Sequence, residues 1–198
     1  MYPSSLQQLI DSFKYLPGIG EKTAERMAFS IMDMDEEKVE LFSNSILNVQ
    51  KSIHRCPICN GLTDKDECII CSDKTRDNST LCIVEDPKSV FLFEKLGMFR
   101  GKYHVLKGLI SPLDGINPED IELEKLIDRL KKEEYKELIL AFKPSIEGET
   151  TSLYIKRILG DMDLTITKLA SGIPMGADME YIDAMTLERA IADRKSVE

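Results

Sequence analysis

LPGIGEKTAERMAF, residues Leu16 to Phe29, admits two readings that lead to different folds. One is a phosphate-cradling nucleotide loop; the other is a glycine turn between two helices. The nucleotide loop requires G-x-x-x-x-G-K-[ST], whose successive amides wrap the phosphates while the lysine reaches the terminal ones. Here Glu21 separates Gly20 from Lys22, and no glycine stands at the motif's upstream position. A carboxylate inside a phosphate nest repels the ligand. The preceding residues, LQQLIDSFKYL, place apolar side chains at 6, 9, 10, 13 and 16, a helical spacing and not a strand.

The hairpin reading accounts for the same residues. A helix from about Ser5 to Tyr15 stops at Pro17, and Gly18 and Gly20 permit a tight turn. A second helix begins near Glu21, with Ala24, Met27, Ala28 and Ile31 on one apolar face. Glycine amides at a helix N-terminus suit one backbone phosphate of DNA. Lys22 and Arg26, four apart, project from one face of that helix. The bland alternative is a purely structural helical hairpin. P-G-I-G followed by a helix resembles the helix-hairpin-helix motif, which favours DNA.

Of the 198 residues, 31% are charged and 42% apolar, as expected of a soluble protein with a real core. No apolar run approaches a membrane span, and MYPSSLQQLIDS does not read as a signal peptide, so a cytoplasmic location is expected. A net charge of −9 argues against coating DNA by bulk electrostatics, so any nucleic-acid contact must be local or multiplied by assembly. His54 and His104 are the only histidines, and structural roles are expected for both.

CPICNGLTDKDECIIC carries the second signal. Cys56 and Cys59 form one C-x-x-C, and Cys68 and Cys71 another. Two such knuckles bring four thiolates round a tetrahedral Zn²⁺ and leave no open position for catalysis. In a cytosolic protein this spacing favours metal over disulfides. The loop between the knuckles holds no aromatic side chain for base stacking, so an architectural joint is expected there. Cys82, in the apolar run TLCIVE, reads as a buried core thiol.

From about Thr80 strands and helices alternate. LCIVE, YHVLKG, ELILAF and DLTITKLA read as strands; PKSVFLFEKLG, ELEKLIDRLKKEEY and GETTSLYIKRILG read as helices. That alternation predicts an α/β fold with a parallel sheet covered on both faces. Functional groups collect beyond the carboxyl ends of such strands. Glu85 and Asp86 follow the first strand, and Glu147 and Glu149 follow the third. Clustered carboxylates suit Mg²⁺, while acids ahead of a helix also serve its macrodipole; both roles remain open from sequence.

P-G-I-G-x-K-T, the four-cysteine knuckle and IEGETTSLYI, in this order, resemble the bacterial recombination mediator RecR family over essentially the whole chain. HVLKGLISPLDGINPEDI and SGIPMGADMEYIDAMTL add to the resemblance. It implies a helix-hairpin-helix region at 1–54, a C4 zinc finger at 55–79, a Toprim domain at 80–174, and a C-terminal segment at 175–198. It implies DNA contact through Gly18, Gly20, Lys22 and Arg26, and a ring-shaped homotetramer able to encircle DNA. RecO and RecF are the implied partners, in loading RecA at single-stranded gaps. The C-terminal segment is implied to be Walker B-like, with Asp178, Glu180 and Asp183 supplying its acids. Without a phosphate loop these cannot form an ATPase site. Catalytic Toprim enzymes carry Asp-x-Asp where this chain has Glu147-Gly148-Glu149, and Ser89 stands where relatives often carry an acid. The expectation is therefore a non-enzymatic mediator whose Toprim acids bind a partner or a weak Mg²⁺. The alternative is a Mg²⁺-dependent Toprim nuclease or primase-like enzyme.

Overall fold

The computed structural model describes residues 2–170, 172–194 and 196. Lys195, Val197 and Glu198 of the C-terminal segment lie outside the described residues. The chain separates into two compact units, the first ending at Ile53 and the second beginning at His54.

The first unit is helical. α1 (Ser4–Lys14) and α2 (Glu21–Met32) form the expected hairpin around buried Leu6, Ile10, Ala24 and Ala28. Alanine at 24 and 28 lets the two backbones approach, and Leu9, Phe13 and Ile19 close the sides. A third helix, α3 (Glu36–Ser52), was not anticipated. Glu36 and Glu37 in its first turn and Lys51 in its last suit the helix dipole, yet none of its 17 residues is buried.

The second unit opens with a two-stranded antiparallel ribbon, β1 (His54–Arg55) and β2 (Leu62–Thr63), followed by the single turn α4 (Ile69–Ser72). The chain then alternates as the sequence predicts: β3 (Thr80–Val84), α5 (Pro87–Leu96), β4 (Lys102–Val105), α6 (Leu123–Lys132), β5 (Glu137–Ala141), α7 (Ile146–Ile158) and β6 (Thr165–Lys168). A 3₁₀ turn at Met179–Tyr181 and α8 (Ala184–Ala192) complete the described chain. The four strands are parallel in the order β4-β3-β5-β6.

Alternation along β3 assigns the two faces. Leu81 and Ile83, with Leu138 and Leu140 of β5, enter a core built with Leu126 and Leu130 of α6 and Ile155 of α7. Full burial of each such side chain is worth roughly 1.5–3 kcal/mol. Cys82 and Val84 enter a second core with Tyr103, Val105 and Val90 of α5. Cys56, Cys59 and Cys68 belong to that same core, so the cysteine segment helps cover this face of the sheet beside α5. Cys82 is a core thiol, and burial pushes its pKa up to about 12.

The cysteine segment also protects edge strand β4. The Val105 amide donates to the Cys59 carbonyl at 2.8 Å, and Asn60 Nδ2 donates to the Val105 carbonyl at 2.9 Å. Lys102 buries its ammonium against the carbonyls of Ile70, Cys71 and Asp73, at 2.9, 3.1 and 2.8 Å. A buried cation fully met by carbonyl dipoles is tolerable where an unpaired one is not.

Candidate functional site

The hairpin turn is shaped by Gly18, whose φ of +81° only glycine adopts at little cost. Gly20 is the N-cap of α2 with extended dihedrals, and a Cβ there would meet nothing within 4 Å. A glycine N-cap offers no capping side chain, so the first amides of α2 stay open to an external acceptor. Glu21, the carboxylate that spoils a phosphate loop, is engaged by Lys14 at 2.5 Å. Lys22 and Arg26 are exposed, and neither has an ion pair or side-chain hydrogen bond among the described residues. The turn thus presents open amides and two unpaired cations from one short element.

The four cysteines converge. Sγ atoms of Cys56, Cys59, Cys68 and Cys71 all lie within 4.8 Å of one another, and three of the residues are buried. Backbone amides are aimed at the sulfurs: Gly61 N–H at Cys59 (3.4 Å), Cys68 N–H at Cys56 (3.5 Å) and Cys71 N–H at Cys68 (3.4 Å). Asn60, at φ +60°, makes the left-handed turn that closes the first knuckle. Hydrogen bonds from Cys59 and Cys71 hold the Cys68 thiol well below its usual range. The same contacts push Cys59 and Cys71 up. Amide donors around a compact sulfur cluster stabilise thiolate charge, the chemistry of a closed structural metal centre.

The acids at the strand ends are mostly engaged. Glu85 Oε2 accepts from the Lys143 amide at 3.2 Å, and Asp86 N-caps α5 by accepting from the Lys88 amide at 2.7 Å. Glu147 and Glu149 lie in the first turn of α7, flanking a glycine that is sterically required: a Cβ on Gly148 would sit 2.2 Å from the Lys143 carbonyl oxygen. The Ser145 hydroxyl holds the Glu147 carboxyl below its usual range. Burial pushes Glu149 up, but hydrogen bonds from Arg189 and Lys168 outweigh it and leave the carboxyl lowered. Lys168 Nζ stands 3.3 Å away, and the Arg189 guanidinium of α8 is in direct contact. Arg189 and Lys168 were not anticipated, because they lie 40 and 19 residues beyond Glu149 and leave no local signature. Among the described residues the cysteines are the only group of three or more metal-ligating side chains brought together.

In the C-terminal segment Asp183 caps α8, accepting from the Thr186 amide at 2.9 Å and the Thr186 hydroxyl at 2.7 Å. Glu180 is exposed in the preceding 3₁₀ turn. His54 is exposed in β1, and His104 is buried in β4. Among the described residues, no helix is long and apolar enough to cross a membrane.

Three family descriptions match in sequence: the RecR helix-hairpin-helix over residues 6–49, the Toprim domain over 79–170, and the RecR C-terminal region over 172–195. Recombination protein RecR of Staphylococcus haemolyticus is 50% identical over 193 residues, covering 98% of each chain. The proteins of the same name from Staphylococcus saprophyticus and Staphylococcus aureus strain Newman are 50% and 49% identical over the same length. Hairpin, cysteine cluster and parallel sheet follow one another along the chain, and the match to these relatives runs nearly end to end: the chain belongs to the RecR family.

Proposed function

We propose that this protein is a recombinational DNA-repair mediator. It grips DNA as an oligomeric ring and acts with RecO and RecF to promote RecA loading at single-stranded gaps. The observation that carries the reading is the hairpin, where exposed, unpaired Lys22 and Arg26 flank the open amides of a glycine-capped helix. Two cations per chain are a weak grip in a protein of net charge −9. Multiplied round a ring they become a strong one, because each further site binds at high effective concentration.

α3 supports assembly. Val39, Phe42, Ile46, Val49 and Ile53 follow one another at spacings of three and four, a coiled-coil seam, and the last four are exposed. A seam of this kind calls for a facing helix, and a second copy of this chain supplies one. Zn²⁺ is the ion that best fits four thiolates in a closed, buried cluster. Glu147 and Glu149 offer a basic partner such as RecO an electrostatic landmark, with Lys168 and Arg189 as the groups it must displace from Glu149. The Toprim acids act here in recognition, without catalysis: Asp86 is committed to a helix cap and Glu149 to two cations.

Fluorescence anisotropy of DNA binding at two salt concentrations, with and without RecO, tests the reading. Lys22→Ala/Arg26→Ala should bind more weakly, with a salt slope shallower by roughly 0.9 for each phosphate that is no longer neutralised. Equal binding by both proteins under all conditions would place the DNA interface elsewhere. Nicking of circular DNA with Mg²⁺ or Mn²⁺ that disappears in Glu85→Ala would establish the enzymatic alternative instead.

A further inference from the structure

A cavity of about 380 Å³ lies in the second unit between the first cysteine knuckle and α6, and none of Glu85, Asp86, Glu147 and Glu149 lines it. Arg55 from the ribbon and Lys125, Arg129 and Lys132 from α6 line it, against Asp128 and Glu133. Four cations face two lining carboxylates, and Glu122 beside them holds Lys125 at 2.7 Å, which still leaves a local excess of positive charge in a chain that carries −9 overall. The spacing is regular for a reason: residues 125, 129 and 132 recur at four and three along α6 and so share one face of the helix.

The floor of the cavity holds the least expected group. His104 is 2% exposed, and its Nδ1 is the one buried side-chain nitrogen or oxygen without a hydrogen-bond partner among the described residues. Burial, with Arg129 and Lys125 nearby, pushes its pKa down to about 3, so the ring is neutral. A buried polar atom with no protein partner is destabilising, and a valine or leucine would fill a strand position of β4 without that penalty. Arg129 is similarly placed: the residue is 6% exposed, Nη1 donates to the Tyr103 carbonyl at 2.6 Å and Nε to Glu133 at 3.2 Å. Those bonds orient the fork rigidly and use two of its five donors.

We propose that this cavity is a binding site for the phosphate group of a nucleotide, either a free mononucleotide or the terminal nucleotide of a DNA strand. Arg55, Lys125 and Lys132 reach the phosphate from the rim, with Arg129 fixed behind them as a planar, charged donor. The volume falls in the range of small-molecule sites and exceeds what a lone phosphate fills, while Pro57 and Ile58 give an apolar wall for a sugar or base. Cys56 also lines the cavity, so the thiolates of a filled metal centre temper the positive field. The expected affinity is accordingly in the micromolar range and not tighter. The site stands independently of the hairpin and of assembly.

The test is calorimetric titration of the zinc-loaded full chain with inorganic phosphate and with deoxyadenosine monophosphate. It is accompanied by anisotropy with one oligonucleotide carrying either a 5′-phosphate or a 5′-hydroxyl. Lys125 and Lys132 are exposed, so Lys125→Ala/Lys132→Ala should keep the fold and the zinc content while weakening mononucleotide binding at least about tenfold. His104→Leu should bind mononucleotide more weakly yet melt no lower than wild type, which a purely structural histidine would not do. Lys22→Ala/Arg26→Ala should bind mononucleotide as wild type does, which separates this site from the hairpin. A preference for the 5′-phosphorylated oligonucleotide that vanishes in the α6 double variant assigns the strand terminus as the source. Mononucleotide binding without that preference assigns the free nucleotide. No saturable binding of phosphate or mononucleotide below about 1 mM, or binding unchanged in the α6 double variant, overturns the proposal.

Discussion

Glu94 has no role in any site read from the sequence, yet it organises the sheet's second face. Its carboxylate meets Arg76 through two bonds of 2.9 and 2.6 Å and accepts from the Tyr103 hydroxyl at 2.9 Å. Arg76 is 7% exposed, so Glu94→Gln leaves a buried guanidinium without its counter-charge, held by the Gly101 and Phe99 carbonyls alone. The expected loss is roughly 2–3 kcal/mol, less than for a fully buried pair because Glu94 itself is partly solvated. The Arg76 hydrogen bonds hold the Glu94 carboxyl below its ordinary value of 4.5. A depressed carboxylate stabilises the fold fully above the unfolded value and loses that contribution as pH falls through the folded one. Urea midpoints should therefore drop between pH 5 and pH 3 in wild type and show a smaller drop in Glu94→Gln; equal slopes would refute the assignment. At this scale the legible residues were those whose chemistry lies in local spacing. The four cysteines announce themselves by two C-x-x-C pairs, and Asp86 sits one residue ahead of the helix it caps. Arg76 with Glu94, and Glu149 with Arg189, are 18 and 40 residues apart, and only the folded sheet brings them together.

Elements are legible in the sequence where periodicity and burial agree. β3 and β5 are buried through most of their length and bounded by turn residues, and the helix from Leu123 carries a sharply divided apolar face ending in Arg129, Lys131 and Lys132. α3 escaped because its apolar residues serve no core within its own unit, so its pattern lacks a partner that would interpret it. The same fact makes a prediction. Ile46 and Val49 are 57% and 62% exposed, and charge there removes no internal packing. Ile46→Glu/Val49→Glu should leave helical content and melting of the sheet unit unchanged while lowering the solution mass measured by light scattering. An unchanged mass would remove α3 from the assembly surface. α7 supplies a second element-scale prediction through Gly148. Its absent Cβ would lie 2.2 Å from the backbone oxygen of Lys143, an atom that cannot swing aside. Gly148→Ala must displace the start of α7, costing about 1–3 kcal/mol and moving both flanking glutamates. If these glutamates meet RecO as proposed, affinity for RecO should fall in this variant although no charge is altered, as measured by anisotropy or calorimetry.

At the scale of the whole molecule two kinds of core coexist. The first unit depends on Leu6, Ile10, Ala24 and Ala28 and contains no cysteine. The second shares Cys56, Cys59 and Cys68 with Val84, Tyr103 and Val105, and ties the knuckle to β4 through Lys102 and Asn60. Metal-binding free energy at a structural thiolate centre is folding free energy, on the order of 10 kcal/mol in isolated zinc-finger peptides. Chelation should therefore act on the two units unequally. Treatment of the reduced protein with a strong chelator should raise amide exchange first in residues 54–72, then along β4, where the Val105 amide loses its bond to Cys59. Amides of α1 and α2 should keep their protection, because the hairpin core is built from apolar side chains alone. Lys102→Met should reproduce part of this pattern with zinc still bound, since three carbonyls in and after the second knuckle lose their ammonium donor. DNA affinity then separates the roles. If the hairpin alone meets the phosphates, the chelated protein retains its Lys22- and Arg26-dependent binding at low salt while losing the RecO recognition proposed for the sheet. Loss of both together would mean that the metal supports the hairpin as well, a dependence that its own four-residue core gives no reason to expect.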